Sequence, residues 1–327
     1  MSSNATAVER APSPWTARAL LRRLAAGDAV AHIVTLIFAA SIILITSLLV
    51  YQLWINSAAS RQKFGWNFWV SRTWDPVFEH FGALPFIYGT LVTSVVSLVI
   101  AVPLGLAAAI FLAELAPRRL SDALAFLIDL LAAVPSVIYG LLGVFIVVPL
   151  MRTTLGPVLK GALGFLPLFS GPNYGVGLLT AGIVLAIMVV PFIISVSREV
   201  LLSVPREQRE AALALGATRW ESTWQVVVPS ARSGIAGSVF LALARAGGET
   251  MAVTMVIGND PKIVASLFAP GYTIAAVIAN EFTEATGTVY LSALIELGLV
   301  LFLITFILNG MARLLILATE HSGGHPS

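Results

Sequence analysis

Apolar residues along this chain come in blocks of roughly 20 or more, enough for a helix to cross a hydrocarbon core about 30 Å thick. Six blocks predict spanning helices over Ala29–Trp54, Pro85–Ala113, Ala123–Met151, Val176–Ser197, Gly234–Gly258 and Thr288–Ala312. None shows the short alternation of a barrel strand, and a span in lipid must satisfy its own backbone, so the fold predicted is all-α. Pro103, Pro135, Pro149 and Pro191 fall inside these blocks and predict kinks or broken helices, which transporters tolerate where backbone lines a cavity. The first block is too long for the apolar core of a cleaved leader and is read as a retained span.

Composition agrees. The chain has 327 residues, 58% hydrophobic and 11% charged, with a mean hydropathy of +0.92. A soluble domain carries about 25% charged residues, so this is read as a polytopic membrane protein. The absence of cysteine excludes disulfides, thiolate zinc sites and iron–sulfur clusters. His32, His80, His321 and His325 show no ligand spacing, so no metal site is expected. With the N-terminus inside, 12 of the 19 basic residues fall on the cytoplasmic side, including Arg18, Arg22 and Arg23. The positive-inside rule then places both termini in the cytoplasm. The domain reading is a cytoplasmic tail over 1–28, a six-helix domain over 29–312 with a large inner loop near 198–233, and a cytoplasmic tail over 313–327.

Lys63, Lys160 and Lys262 fall on outer loops, either as ordinary solvated residues or as attractors of an anion or partner. The outer loop near 55–84 is rich in aromatics: Phe64, Trp66, Phe68, Trp69, Trp74, Phe78 and Phe81. They suit an interfacial belt or a docking platform for an extracytoplasmic protein.

The inner loop between the fourth and fifth spans has its own structure. Pro205 stands where a helix can begin, Glu207 to Leu215 are mostly strong helix formers, and Gly216 is a natural C-terminal residue. Small Ala211 and Ala212 would let another backbone approach closely; the alternative is an amphipathic helix on the lipid surface. Glu210-Ala211-Ala212, Gly216, Val226, Val228 and Pro229 match, at fixed spacing, the EAA signature of bacterial ABC importer permeases, with Val at both aliphatic positions. That resemblance implies a coupling helix seated in a separate ATPase subunit. No lysine lies in a P-loop context, so the chain itself is not expected to be the enzyme.

The fifth block holds Arg245, Gly247, Gly248, Glu249, Thr250 and Thr254. A charge at mid-membrane costs roughly 2.5–3.5 kcal/mol on insertion scales, so such groups face the bundle interior. Arg245 and Glu249 are four apart, hence on one helix face and able to pair, with Thr250 and Thr254 adding hydroxyls. An arginine fork suits a tetrahedral oxyanion; a structural salt bridge or an assembly contact is the other reading.

The stretch from Arg245 to Val253 resembles the Arg-Ala-x-Gly-Glu-Thr-Met-Ala-Val segment of the PstC permeases of phosphate-specific ABC importers. Pro135-Ser136-Val-Ile-Tyr139-Gly140 and the Gly298–Phe302 segment with Thr305 and Asn309 are similar to the same family, across roughly 27–313. The resemblance implies a type I, MetI-like permease fold in a bacterial plasma membrane. It implies phosphate as cargo, Arg245 and Glu249 on its path, and no cofactor in this chain, with ATP and Mg held by the partner. The implied partners are a second, PstA-like permease, two PstB-like ATPase subunits and a PstS-like phosphate-binding protein. Other oxyanions (sulfate, molybdate, phosphonate) and a membrane phosphate sensor without transport are the alternatives. Asp129 is read as a packing residue, Glu296 as a vestibule residue and Asn309 as a hydrogen-bonding group between helices.

Overall fold

The computed structural model describes residues 28–321. The Arg18, Arg22 and Arg23 cluster, most of the tail over 1–28, and residues 322–327 lie outside the described residues. The chain divides into two units, residues 1–55 and 56–327. Helix α1, Asp28–Asn56, accounts for the described part of the first. At 29 residues it is about 44 Å long. Its Thr35, Thr46 and Ser47 hydroxyls donate to carbonyls one turn back, and Ser41 does so three residues back, so these four hydroxyls are satisfied within the helix.

The second unit holds α2 (Ala58–Phe64), α3 (Leu84–Leu115), α4 (Arg118–Ala132), α5 (Ser136–Leu163), α6 (Leu178–Leu202) and α7 (Arg206–Ala214). It continues with α8 (Arg219–Gly247), α9 (Met251–Ile257), α10 (Ile274–Glu281) and α11 (Thr288–His321). Six helices, α1, α3, α5, α6, α8 and α11, are long and apolar enough to cross a membrane. Among the described residues, extended pairing is limited to the isolated bridges Asp75–His80 and Gly258–Gly271. The fold is all-α.

Helix α6 is the hub, and small residues set its contact with α3. A β-carbon on Gly182 would stand 2.4 Å from Val96 Cγ1, and one on Gly105 would stand 2.7 Å from Ile193 Cγ2. Where lipid removes the hydrophobic drive between helices, such close approach supplies the packing energy.

Four wide turns punctuate the helices, and each ends two residues before a proline. They cover Phe111–Leu115 before Pro117, Gly143–Val147 before Pro149, Met151–Leu155 before Pro157, and Thr223–Val227 before Pro229. In each case the residue preceding the proline donates five residues back: Ala116 to Phe111, Val148 to Gly143, Gly156 to Met151 and Val228 to Thr223. A proline ring clashes with the carbonyl four residues back, and widening the preceding turn moves that carbonyl aside. At Pro149, Pro157 and Pro229 the helix continues past the proline, whereas at Pro117 it stops and α4 begins.

Two predicted spans differ from the structure. The block Ala123–Met151 breaks at Ala133–Pro135, so its first half belongs to α4 and its second to α5, which runs on to Leu163. Helix α4 carries Arg118, Arg119, Asp122 and Asp129 and packs on α6, where Ser195 Oγ donates to Asp129 at 2.8 Å. The fifth helix begins at Arg219 and stops at Gly247; the predicted continuation to Gly258 is the separate helix α9.

The aromatic loop is largely a core of its own, not a belt. Phe68 and Phe81 are fully buried, Trp74 meets Phe81 and Phe86 edge-on at 4.8 Å, and Phe81 stacks on Tyr290 at 5.1 Å. Glu281 ties the cluster together by accepting from Trp74 Nε1 and the Tyr290 hydroxyl. Burial pushes the nearby Tyr272 phenol up to about 12, although Asn280 donates to it. Trp66, Val77 and Phe78 remain exposed. Helix α2 docks on α11, where Ser60 N donates to Ser292 Oγ and Ser292 in turn donates to the Asn56 carbonyl. Glu296, expected at an open vestibule, is instead 2% exposed on α11.

Candidate functional site

The charged segment lies at the break between α8 and α9. Arg245 occupies the last turn of α8, and the helix ends at Gly247. Gly248, Glu249 and Thr250 form the connection, and α9 starts at Met251. The expectation that Arg245 and Glu249 share one helix face fails for that reason, since four-residue spacing places side chains together only along a continuous helix. Among the described residues no ion pair joins them. Glu249 turns forward instead, and its Oε1 accepts from Ala252 N at 3.2 Å, capping α9.

Arg245 is half-buried with its guanidinium 5.6 Å over the Phe192 ring of α6, an attraction between cation and ring face. Tyr139 of α5 is within electrostatic reach of the same guanidinium, and its hydroxyl donates to Leu131 O across the Ala133–Pro135 break. The guanidinium thus rests on an aromatic plane without a carboxylate against it among the described residues. A planar cation with free N–H groups can accept an anion on its open edge.

The hydroxyls are less convergent. Thr250 Oγ1 donates to Gly248 O at 3.4 Å, whereas Thr254 Oγ1, on α9, is buried without a hydrogen-bond partner. Helix α9 is held by α5: a β-carbon on Gly140 would stand 2.5 Å from Met255 Sδ and 3.2 Å from Ala252 Cα. Tyr139 and Phe192 are members of this site that sequence reasoning assigned no role. Their signal was weak, a tyrosine inside the Pro135–Gly140 segment and a phenylalanine next to Pro191.

Four other residues find their partners locally. Lys63 pairs with Glu79 at 2.7 Å and Lys262 with Asp260 at 3.0 Å, while Lys160 donates to Gly171 O. Asn309 donates to Thr305 O one turn back on its own helix rather than across helices.

The inner loop folds as its spacing predicts. Helix α7 runs from Arg206 to Ala214 after Pro205. Gly216 adopts a φ of +93°, a left-handed conformation that glycine takes without strain. Gly216 N donates to Leu213 O and Ala217 N to Ala212 O, the paired bonds of a Schellman end. Thr218 and Glu221 then form a reciprocal capping box that starts α8. Glu210 and Ala211 are exposed and Ala212 is partly so. Ala211, Ala212, Gly216, Glu221 and Val226 line an open groove of about 680 Å³. Leu215 beside it is 90% exposed, and the Trp220 and Trp224 rings, also exposed, meet edge-on at 5.5 Å. Contiguous exposed apolar side chains around a groove suit a protein or a membrane contact. Pro229 follows the wide turn at Thr223–Val227, where α8 leaves this surface. Arg209, which no sequence argument singled out, bonds Glu114 at the end of α3 at 2.8 Å.

Comparison with known proteins adds three findings. Residues 101–319 match the family described as the binding-protein-dependent transport system inner membrane component. The chain is 46% identical over 310 residues to the phosphate transport system permease protein PstC of Mesorhizobium japonicum, covering 94% of this chain and 95% of that one. It is 48% identical over 294 residues to the protein of the same name from Haemophilus influenzae, covering 89% and 93%. Among solved structures, a bacterial alginate ABC transporter in complex with an alginate-bound periplasmic protein matches with a TM-score of 0.56 at 17% identity, over 90% of this chain and 98% of that one. The MetNI methionine ABC transporter, in inward-facing form, matches with a TM-score of 0.52 at 17% identity, over 72% and 94%. At such identity these last two support the fold alone.

Proposed function

The chain belongs to the family of binding-protein-dependent transport system inner membrane components, among the PstC permeases, and on that premise we propose that it forms half of the path by which an ATP-driven importer moves inorganic phosphate inward. The observation that carries the site assignment is Arg245, which stands at a helix break and rests on Phe192 with no carboxylate paired to it among the described residues. A multivalent oxyanion that has shed its water needs a charged, bidentate donor, and arginine offers one at every physiological pH. Glu249, turned to cap α9, lies close enough in sequence to oppose the anion's charge and to favour its release. Thr250 and Thr254 supply hydroxyls along the same segment.

The remaining machinery follows from the exposed groove on α7. It suits insertion into a separate ATPase subunit, with Glu210, Ala211, Ala212, Gly216 and Pro229 forming the contact and its support. ATP and Mg are bound by that partner. A second permease of the same fold completes the path, two ATPase subunits drive it and an extracytoplasmic phosphate-binding protein delivers the anion. Both termini lie in the cytoplasm of a bacterial plasma membrane. Closure of the ATPases opens the path outward, phosphate passes Arg245, and hydrolysis restores the inward-open form. ATP-dependent uptake of labelled phosphate into proteoliposomes tests the reading. Uptake that requires this subunit, and that excess sulfate, molybdate or phosphonate does not suppress, is expected; equal suppression by those anions contradicts the assigned cargo.

A further inference from the structure

The side chain of Arg209 points away from the exposed groove, back into the body of the protein. Its Nη2 donates to Glu114 Oε1 at 2.8 Å and to Leu201 O at 2.7 Å, its Nε donates to Glu114 Oε1 at 3.2 Å, and its Nη1 donates to Val204 O. The two side chains are only 19% and 12% exposed. Glu114 sits in the wide turn that ends α3, while Leu201 and Val204 lie at the C-terminal end of α6. Leu201 O also accepts from Val204 N at 3.3 Å, and a cation is favoured beside the carbonyls at a helix C-terminus. One guanidinium therefore fastens α7 to two spanning helices at once.

The other side of α7 is joined differently. Its exit runs through Gly216 in the left-handed region, a capping box, and the wide turn at Thr223–Val227 before α8 straightens. A solvent-exposed bond from Ser230 Oγ to Gln208 links α7 to α8 directly. Helix α7 is thus tied to α3 and α6 by the Arg209 network and to α8 by its exit turn and the Ser230–Gln208 bond. Helices α3 and α6 both reach the charged break. Phe192, beneath Arg245, belongs to α6, and Ser94 of α3 would stand 3.9 Å from a β-carbon on Gly247.

We propose that Arg209 is a positioning residue that makes α7, α3 and α6 move together, so that displacement of the ATPase-contacting surface reaches the helices holding Arg245. This rests on the reading of α7 as the ATPase contact. Loss of the guanidinium leaves the Glu114 carboxylate and the Val204 carbonyl without this donor, and frees α7 to shift without moving α3 and α6.

The test uses the complete importer (both permeases, the ATPase pair and the phosphate-binding protein) in proteoliposomes, with Arg209→Ala, Arg209→Lys and the double variant Glu114→Ala/Arg209→Ala. Three quantities are read: ATPase subunits retained on purification, ATP hydrolysis, and phosphate imported per ATP. Arg209→Ala is expected to retain its ATPase and hydrolyse ATP within about twofold of wild type, with import per ATP about tenfold lower, the size of a coupling change between packed elements. Arg209→Lys, which can still donate to Glu114 and one carbonyl, recovers part of that ratio, and the double variant is no worse than Arg209→Ala. An unchanged ratio in Arg209→Ala overturns the proposal. Additive loss in the double variant, or loss of the ATPase from both Arg209→Ala and Arg209→Lys, does so too. Gly216→Asp separates the two layers: if it leaves ATPase binding and import intact, the reading of α7 as the socket is what fails.

Discussion

The guanidinium of Arg245 lies 5.6 Å over the ring of Phe192, on a neighbouring helix. The aromatic plane fixes the orientation of the cation without neutralising it, which a carboxylate would do. A cation–ring contact of this kind contributes about 1 kcal/mol, or roughly fivefold in an equilibrium constant. Phe192→Leu keeps the apolar volume and removes the ring face. It is expected to lower phosphate uptake about fivefold with the amount of assembled complex unchanged, as read by size-exclusion chromatography beside the uptake assay.

Glu249 and Ala252 give a second prediction. The carboxylate caps α9 through Ala252 N, so glutamine, which keeps an acceptor, should preserve the fold while removing the charge. Alanine removes both, at about 1 kcal/mol for a lost cap. Thermal melting of the purified complex should rank wild type and Glu249→Gln together and Glu249→Ala below them. Equal melting of all three would show that the cap contributes nothing.

Gly140 is where α5 meets α9. A side chain there would press on Met255 Sδ at 2.5 Å and on the Ala252 backbone at 3.2 Å. The flexible methionine can retreat from a methyl group, but the backbone cannot retreat from a branched chain. Gly140→Ala should therefore cost little and Gly140→Val about 1–3 kcal/mol, typical of overpacking. The yield of monodisperse protein after membrane extraction should fall in that order.

Much of this was legible in the chain. The apolar blocks located all six spanning helices, and the residues from Pro205 to Gly216 foretold a short helix with a glycine end, which the left-handed φ of Gly216 and its paired bonds bear out. Arg245 and Glu249 stood out because charges are costly in lipid. Their relationship did not, because hydropathy runs smoothly across Gly248–Thr250 while the backbone there departs from the helix. The break at Pro135 was likewise hidden inside one continuous apolar block. Contacts between distant segments, such as Phe192 with Arg245 or Glu114 with Arg209, leave no local periodicity to read. The aromatic loop misled for a related reason, since residues suited to a membrane interface pack equally well against each other.

The exposed groove on α7 yields a fourth prediction. Any side chain at Gly216 must hold a positive φ, costing about 1 kcal/mol even for alanine, and aspartate would add a charge to the contact. Glu210→Lys reverses a charge on the surface proposed to meet the ATPase. Both Gly216→Asp and Glu210→Lys should leave the permease inserted in the membrane while phosphate uptake falls and ATP hydrolysis no longer follows the loaded binding protein. Uptake and stimulated hydrolysis at wild-type levels in both would remove the coupling role.

The central claim is that the Arg245 guanidinium receives the anion midway through the protein. Its most direct test is initial-rate uptake of labelled phosphate by proteoliposomes carrying Arg245→Gln, compared at equal amounts of assembled complex. Glutamine fills similar space and can hydrogen-bond but carries no charge, so losing a charge-assisted contact of up to about 3 kcal/mol should depress uptake by as much as a hundredfold. Uptake within about twofold of wild type, a change of less than 0.5 kcal/mol, would contradict the account.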